Sequence, residues 1–213
     1  MSNPFTIAHL TLPLTIQQKA GFYGPQGWAS EQIASLLQVS DDFIQDVFPC
    51  PTNSLSLTLF YNGLAVGHCN GNKWEDFIGE FFMNLQLLRQ KTTHTNTITF
   101  LGLLDVIQYD EDTLLRQKLV SELEIPLDKI AHNAGLMVLK GYSSKENPLA
   151  TKLVAEQVSL FKSQGFKAIV AETTSFKSLR AFGENGFLIF KSHKLSDFGI
   201  DIDDEYSILY KLL

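Results

Sequence analysis

Three consecutive stretches decide the fold: Gly135-Leu-Met-Val-Leu139, Ser143-Ser-Lys-Glu-Asn-Pro-Leu-Ala150 and Ala168-Ile-Val-Ala-Glu-Thr-Thr-Ser175. The first is a short apolar run, which predicts a strand buried on both faces. The second is a polar loop leading into a helix, with Asn147 as cap and Pro148 at the first helical position. Leu149, Leu153, Val154, Val158 and Phe161 then form one apolar stripe at helical spacing. Lys162 lies in the last turn, and Gly165 suits a left-handed terminator. Ala168 to Ala171 predicts a second buried strand. Thr174 or Ser175 caps a short helix with Phe176, Leu179 and Phe182 inward, closed by Asn185-Gly186. Phe187–Phe190 and Tyr206–Leu212 predict two last strands, joined by the acidic segment Asp197 to Glu205.

Working toward the N-terminus, Ser54 to Tyr61 alternates strictly. Asn62-Gly63 is the strongest two-residue hairpin signal, and Leu64 to Cys69 reads as the return strand. Leu55, Leu57 and Leu59 share one face. Phe5 to Thr11 alternates as a first strand, which Pro13 ends. Ser30, and Ser40 or Asp41, cap two short helices, the second stopped by Pro49. Trp74 to Leu88 carries a helical stripe at Phe77, Phe81, Leu85 and Leu88. Ile98 to Ile107 fits buried helix and buried strand equally, because its apolar run is continuous. Leu114, Leu115, Leu119 and Leu123 predict an amphipathic helix ending near Pro126. No repeat or long linker divides the chain, so a single domain over residues 1–213 is expected.

Composition limits the function classes. Hydrophobic residues make up 45% of the chain, enough for a filled core. Net charge is −6 with no cluster of Lys and Arg, which argues against nucleic acid as partner. No apolar run approaches the roughly 20 residues that span a bilayer, and the first residues show no signal peptide, so no membrane partner and a cytoplasmic protein are expected. Cys50 and Cys69 give no disulfide framework. The five histidines fall at no recognisable ligand spacing, so no metal is expected.

The order strand, polar loop, helix, Gly-Phe, strand, short helix, Gly-Phe, strand, strand resembles the core of GNAT acyltransferases. The arylalkylamine (dopamine-type) N-acyltransferase branch is the nearest likeness. It is carried by Val66-Gly67, the helical stretch to Glu124, Pro126-Leu-Asp-Lys129, Glu172-Thr-Thr-Ser175, Ser178-Leu-Arg180 and Asn185-Gly-Phe187. The resemblance implies an α/β (α+β) fold with a mixed, mostly antiparallel central sheet flanked by helices. It further implies acetyl-CoA or another acyl-CoA as cosubstrate, a small-molecule amine as acceptor, and a monomer or homodimer.

By that likeness Met137, Val138 and Leu139 offer backbone contacts to pantetheine. Lys145, Glu146, Asn147, Leu149 and Ala150 belong to the loop that holds the pyrophosphate at a helix N-terminus. This loop departs from the family's Arg/Gln-Gly-x-Gly-x-Gly/Ala. Lys145 takes the Arg/Gln place, but Ala150 alone agrees with the pattern: Glu146 and Pro148 replace the first two glycines, adding a like charge and removing an amide donor. Phe182 stands where many relatives carry a proton-donating Tyr. The dopamine-type branch instead implies hydroxyls, matched by Ser178 and, one turn earlier, Thr174. Phe48-Pro-Cys-Pro51 lacks the branch's Glu-Pro base. By location Glu172 as a strand-end carboxylate, His132 as a loop residue and His68 at a strand edge are the remaining candidates for that role. These departures leave two readings open: an N-acyltransferase, or a catalytically impaired domain of the same fold with a regulatory or partner-binding role.

Overall fold

The structure is a computed structural model, and it describes residues 4–9, 55–76 and 95–213. The two early helices, Phe48-Pro-Cys-Pro51, Cys50 and most of the Trp74–Leu88 helix lie outside the described residues.

Among the described residues, seven strands form one mixed sheet. They are β1 (Phe5–His9), β2 (Leu57–Tyr61), β3 (Leu64–Lys73), β4 (Ile130–Val138), β5 (Ala168–Thr173), β6 (Leu188–Lys194) and β7 (Glu205–Leu212), in the order β1-β2-β3-β4-β5-β7-β6. Only β4 and β5 run parallel; every other pair is antiparallel. The expected mixed, mostly antiparallel sheet is therefore present. The β2–β3 hairpin turns at Asn62 (φ 47°) and Gly63 (φ 81°), two left-handed residues as a type I′ turn requires.

Three helices of the described residues pack on the sheet: α1 (Thr95–Tyr109), α2 (Leu149–Ser163) and α3 (Phe176–Gly183). The ambiguous Ile98–Ile107 run belongs to α1. Past α1 the chain continues as π-helical turns over Asp110–Leu115 and Gln117–Glu122, with Leu123 N–H bonding Lys118 O five residues back. That wider winding redraws the predicted stripe. Leu115 and Leu119 are buried, whereas Leu114 and Leu123 are exposed.

One sheet face packs on α1 and the π-helical turns through Trp74, Leu103, Ile107, Leu115, Leu119, Ile130, Val170 and Ile208. On the other face, Val154 and Phe161 of α2 and Phe182 of α3 meet Ala131, Ile169, Ala171 and Leu209. The acidic segment after β6 is anchored to the core: Leu195, Ile200 and Ile202 alternate inward between exposed Asp197, Asp201 and Asp203. Of the residues expected inward on α3, Phe182 is buried and Leu179 packs against the core, but Phe176 is 73% exposed. It occupies the first helical position, where the chain has not yet turned onto the sheet.

Candidate active site

The site begins where β4 and β5 part. Their ladder runs from Ile130↔Ala168 to Asn133↔Ala171 and goes no further, although β4 continues to Val138 along β3. The Gly135–Leu139 run is accordingly half-buried rather than buried on both faces, and the fully buried part of β4 is Ile130–Asn133. The buried half, Ile130-Ala-His-Asn133, is the more polar of the two, so the missing neighbour and not apolar content separates them.

Backbone direction along the parted segment follows from two contacts. Leu139 N–H donates to Val66 O at 2.8 Å, and Met137 O lies 3.2 Å from where a Gly67 Cβ would stand. Both residues therefore aim their peptide groups at β3. Strand alternation turns those of Val138 and Leu136 toward the gap. A further extended chain in this gap would meet one N–H and one C=O from each of these two residues.

The loop entering α2 is held by its own hydroxyls. Ser143 Oγ accepts from Leu149 N–H (3.1 Å), and Ser144 Oγ accepts from Asn147 N–H (3.1 Å). Ser144 N–H donates to Asn147 O (3.2 Å). Asn147 does not cap the helix: its Oδ1 takes a bond from Lys152 Nζ (2.7 Å), and Pro148 stands at the cap position without a side-chain bond. Ser143, six residues upstream, supplies the acceptor instead. Lys152 N–H is the first to find a helical carbonyl, that of Pro148. This leaves Ala150 and Thr151 among the amides with no intrahelical acceptor, at the positive end of the helix. The Glu146 carboxyl is held below its ordinary range by its own backbone and by the Ser144 hydroxyl, so it carries charge in the loop.

On the opposite wall, Ser175 caps α3 through Ser178 N–H (3.3 Å). Ser178 Oγ donates to Ser175 O (3.0 Å) and lies 2.8 Å from Ser175 Oγ. Thr174 and Ser178 are both partly exposed. Helices α2 and α3 are tied across the loop: Thr151 Oγ1 donates to Glu184 Oε2 (2.8 Å), and Asn185 Nδ2 donates to Thr151 O (3.0 Å).

At the vertex of the parting strands sits a buried set of ionisable groups. His132 of β4 is a strand residue, fully buried, and its Nε2 lies 2.6 and 2.8 Å from the two oxygens of Glu172 on β5. Burial lowers His132 to about pH 4, so the ring is neutral and Nε2 carries the donated proton. Burial raises Glu172 to about 7. Glu111, from the first π-helical turn, is within hydrogen-bonding reach of Glu172. Burial, then repulsion from Glu172, pushes it well above the usual carboxylate range. Tyr206 of β7 is raised by burial and by both carboxyls, which places its phenol in the same cluster. His68 lies elsewhere, inside β3 rather than at an edge, against Thr58 Oγ1 (3.3 Å). Among the described residues no three His, Cys, Asp or Glu side chains could hold a metal ion, and no helix is long and apolar enough to cross a membrane.

No family model matches this chain, and no curated protein sequence does. Solved structures do. Arylalkylamine N-acetyltransferase 2 from Aedes aegypti superposes with a TM-score of 0.67 at 15% identity, covering 99% of each chain. The C-terminal condensation domain of Ebony, in complex with β-alanyl-dopamine, gives 0.62 at 12% identity, over 98% of this chain and 99% of that one. The putative acetyltransferase yncA from Salmonella typhimurium, with its cofactor acetyl-CoA, gives 0.50 at 12% identity, over 99% of this chain and 95% of that one.

This chain has the GNAT fold. Within it, Met137, Val138 and Leu139 lie on the parted edge of β4, the Lys145–Ala150 loop at the entry to α2, and Ser178 and Thr174 at the start of α3. The first group lies at the end of β4, the second follows it and the third follows β5, past the point where the two strands part. The residue that sequence reasoning missed is Glu111. It sits just beyond an apolar run whose helical or extended character the pattern leaves open, and its partner is 61 residues away.

Proposed function

We propose that this GNAT-fold protein transfers an acyl group, in the simplest case acetyl, from acyl-CoA to a small amine by direct attack. The observation that carries this reading is the parting of β4 from β5 after Asn133 and Ala171, with a helix N-terminus at one end and Glu172 at the vertex. Pantetheine would lie along Leu136–Leu139, pairing with the groups of Leu136 and Val138 that face the gap. The pyrophosphate would meet Ala150 and Thr151 N–H, with Lys145 and Lys152 nearby in sequence; Leu149 N–H is available only if the Ser143 hydroxyl is displaced. Glu146 opposes a polyphosphate by like charge, so CoA is bound less tightly than by a glycine loop.

For the chemistry, an acceptor ammonium must lose a proton before its nitrogen can attack, and the departing sulfur must gain one. Glu172 is the carboxyl at the vertex. Ser178, partly exposed and hydrogen-bonded to Ser175, is the hydroxyl on the facing helix, with Thr174 beside it. The Ebony domain binds an acylated arylalkylamine and the Aedes aegypti protein is an arylalkylamine N-acetyltransferase, which supports an arylalkylamine as the first acceptor to try.

The test is the thermal midpoint with CoA, acetyl-CoA and a longer acyl-CoA. Ligand at about 100 times its dissociation constant adds roughly 2.7 kcal/mol, a shift of several degrees at this size. A shift with the acyl forms supports the reading; no shift with any of the three at millimolar concentration contradicts it.

A further inference from the structure

We propose that Glu111 is a positioning residue for this transfer, sharing one proton with Glu172 so that Glu172 remains the group that takes the proton of an incoming ammonium. The inference rests on the acyltransferase reading and deepens it, naming the group that deprotonates the acceptor and the charge state in which the acceptor arrives.

The π-helical turn makes the arrangement possible. It buries two consecutive carboxyls, Asp110 and Glu111, and sends them to different partners. Asp110 is matched by side chains of β6: Lys191 Nζ lies 2.8 Å from its carboxylate, and His193 Nε2 lies 2.8 Å from its Oδ2. Among the described residues Glu111 has no such ion pair. It faces Glu172, with the neutral His132 ring and the Tyr206 phenol in the same cluster, and the Asp110 charge beside it adds to the repulsion. Two carboxyls in contact within a buried site do not both ionise. His132 already donates to Glu172, so the Glu172 oxygens are served as a carboxylate and the proton between the two acids belongs on Glu111.

A second observation bears on the pair. Glu111 Oε1 is buried and meets no hydrogen-bond donor among the described residues. That is the state of an oxygen set against a second carboxyl, and a proton carried on Glu111 would satisfy it. Glu172 is the first residue past the last β4–β5 pair, so the pair opens onto the gap rather than into the sheet.

The proton balance closes. The ammonium gives one proton to Glu172, from which it leaves to solvent. The neutral amine attacks the thioester carbon, the N–C bond forms and the C–S bond breaks. The nitrogen's second proton goes to the departing sulfur, giving an amide and free CoA. Burial places Glu172 near neutrality, where such a group is half-ionised.

Acetyl-CoA and tyramine are the probes, with Glu111→Gln and Glu172→Gln as variants. In the wild type kcat/KM rises through an acid limb near pH 7. In Glu111→Gln, which loses the acidic O–H that steadies the Glu172 carboxylate, that limb moves to higher pH by about one unit, while Glu172→Gln loses on the order of 100-fold or more at every pH. A Glu111→Gln limb that coincides with the wild type, or full activity in Glu172→Gln, overturns the proposal. The infrared spectrum of the wild type at pH 8 needs neither turnover nor a variant that folds. A protonated-carboxyl C=O stretch is expected, and its absence overturns the shared proton whatever the kinetics show. The stretch present with no amine turned over overturns the acyltransferase reading and the base role, with the shared proton upheld.

Discussion

The neutral imidazole of His132 reaches both oxygens of Glu172, with Nε2 2.6 Å from Oε1 and 2.8 Å from Oε2. This contact spans the last rung at which β4 and β5 still pair. It joins the two strands where the sheet parts, so the vertex of the gap is fixed by a hydrogen bond between side chains as well as by the ladder. It also concentrates ionisable groups where desolvation moves them furthest.

Stability should carry the mark of this burial. Glu172 titrates near 7 in the folded protein, above its ordinary 4.5. Folding therefore favours its protonated form, and the wild type loses stability as pH rises from about 4.5 to 7. Replacing Glu172 by Gln removes that cost. At pH 8 Glu172→Gln should be more stable than the wild type, by on the order of 1–3 kcal/mol. At pH 4.5 the difference should be small. Urea unfolding at the two pH values checks this, and a Glu172→Gln protein less stable at pH 8 would contradict it.

His132 has the opposite sign. Its pKa falls from 6.5 to about 4, so the neutral form is favoured and its contribution is lost as pH drops through that window. A His132→Gln protein should lose less stability than the wild type between pH 6.5 and 4. Parallel loss in both proteins would mean that His132 does not carry the acid sensitivity.

The proposed phosphate loop gives a prediction on affinity. Glu146 is exposed, and its own backbone and the Ser144 hydroxyl hold its carboxyl below the ordinary range, so it is ionised. Glu146→Gln should tighten CoA several-fold at low salt, and the gain should shrink as salt is raised. Calorimetric titration at two ionic strengths measures both. Affinity unchanged at low salt would place the pyrophosphate elsewhere.

Ser175 and Ser178 share one hydrogen-bonded cap but differ in what they should do. Ser175→Ala removes the α3 cap and should cost about 1 kcal/mol of stability. Ser178→Ala leaves that cap in place and should lower turnover with little change in thermal midpoint. Equal turnover would remove Ser178 from proton delivery to sulfur.

Much of this architecture is legible in the sequence, and what is not has a physical reason. Asn62-Gly63 demands two left-handed residues, and Gly165 and Gly186 end helices in the left-handed region, so the hairpin and the α2 and α3 boundaries can be read locally. The candidate loop and α3 hydroxyls follow from element order. The capping of Leu149 by Ser143 rather than Asn147 depends on a loop closing over six residues, which no local signal encodes. The exposure of the Gly135–Val138 half of β4 depends on β5 turning away, and apolar content alone does not report a missing neighbour. Glu111 meets Glu172 through a helix whose winding switches from α to π, a change that shifts every later side chain around the axis. Local periodicity carries no trace of such a meeting.

The central claim is that the gap between β4 and β5 is an acyl-transfer site. The most direct measurement is mass spectrometry of purified protein incubated with acetyl-CoA and tyramine at pH 8, following N-acetyltyramine and free CoA together. The account predicts the two products in equal amounts, both lost in Glu172→Gln. Folded protein that binds acetyl-CoA yet forms no amide with tyramine or any other small amine would contradict it.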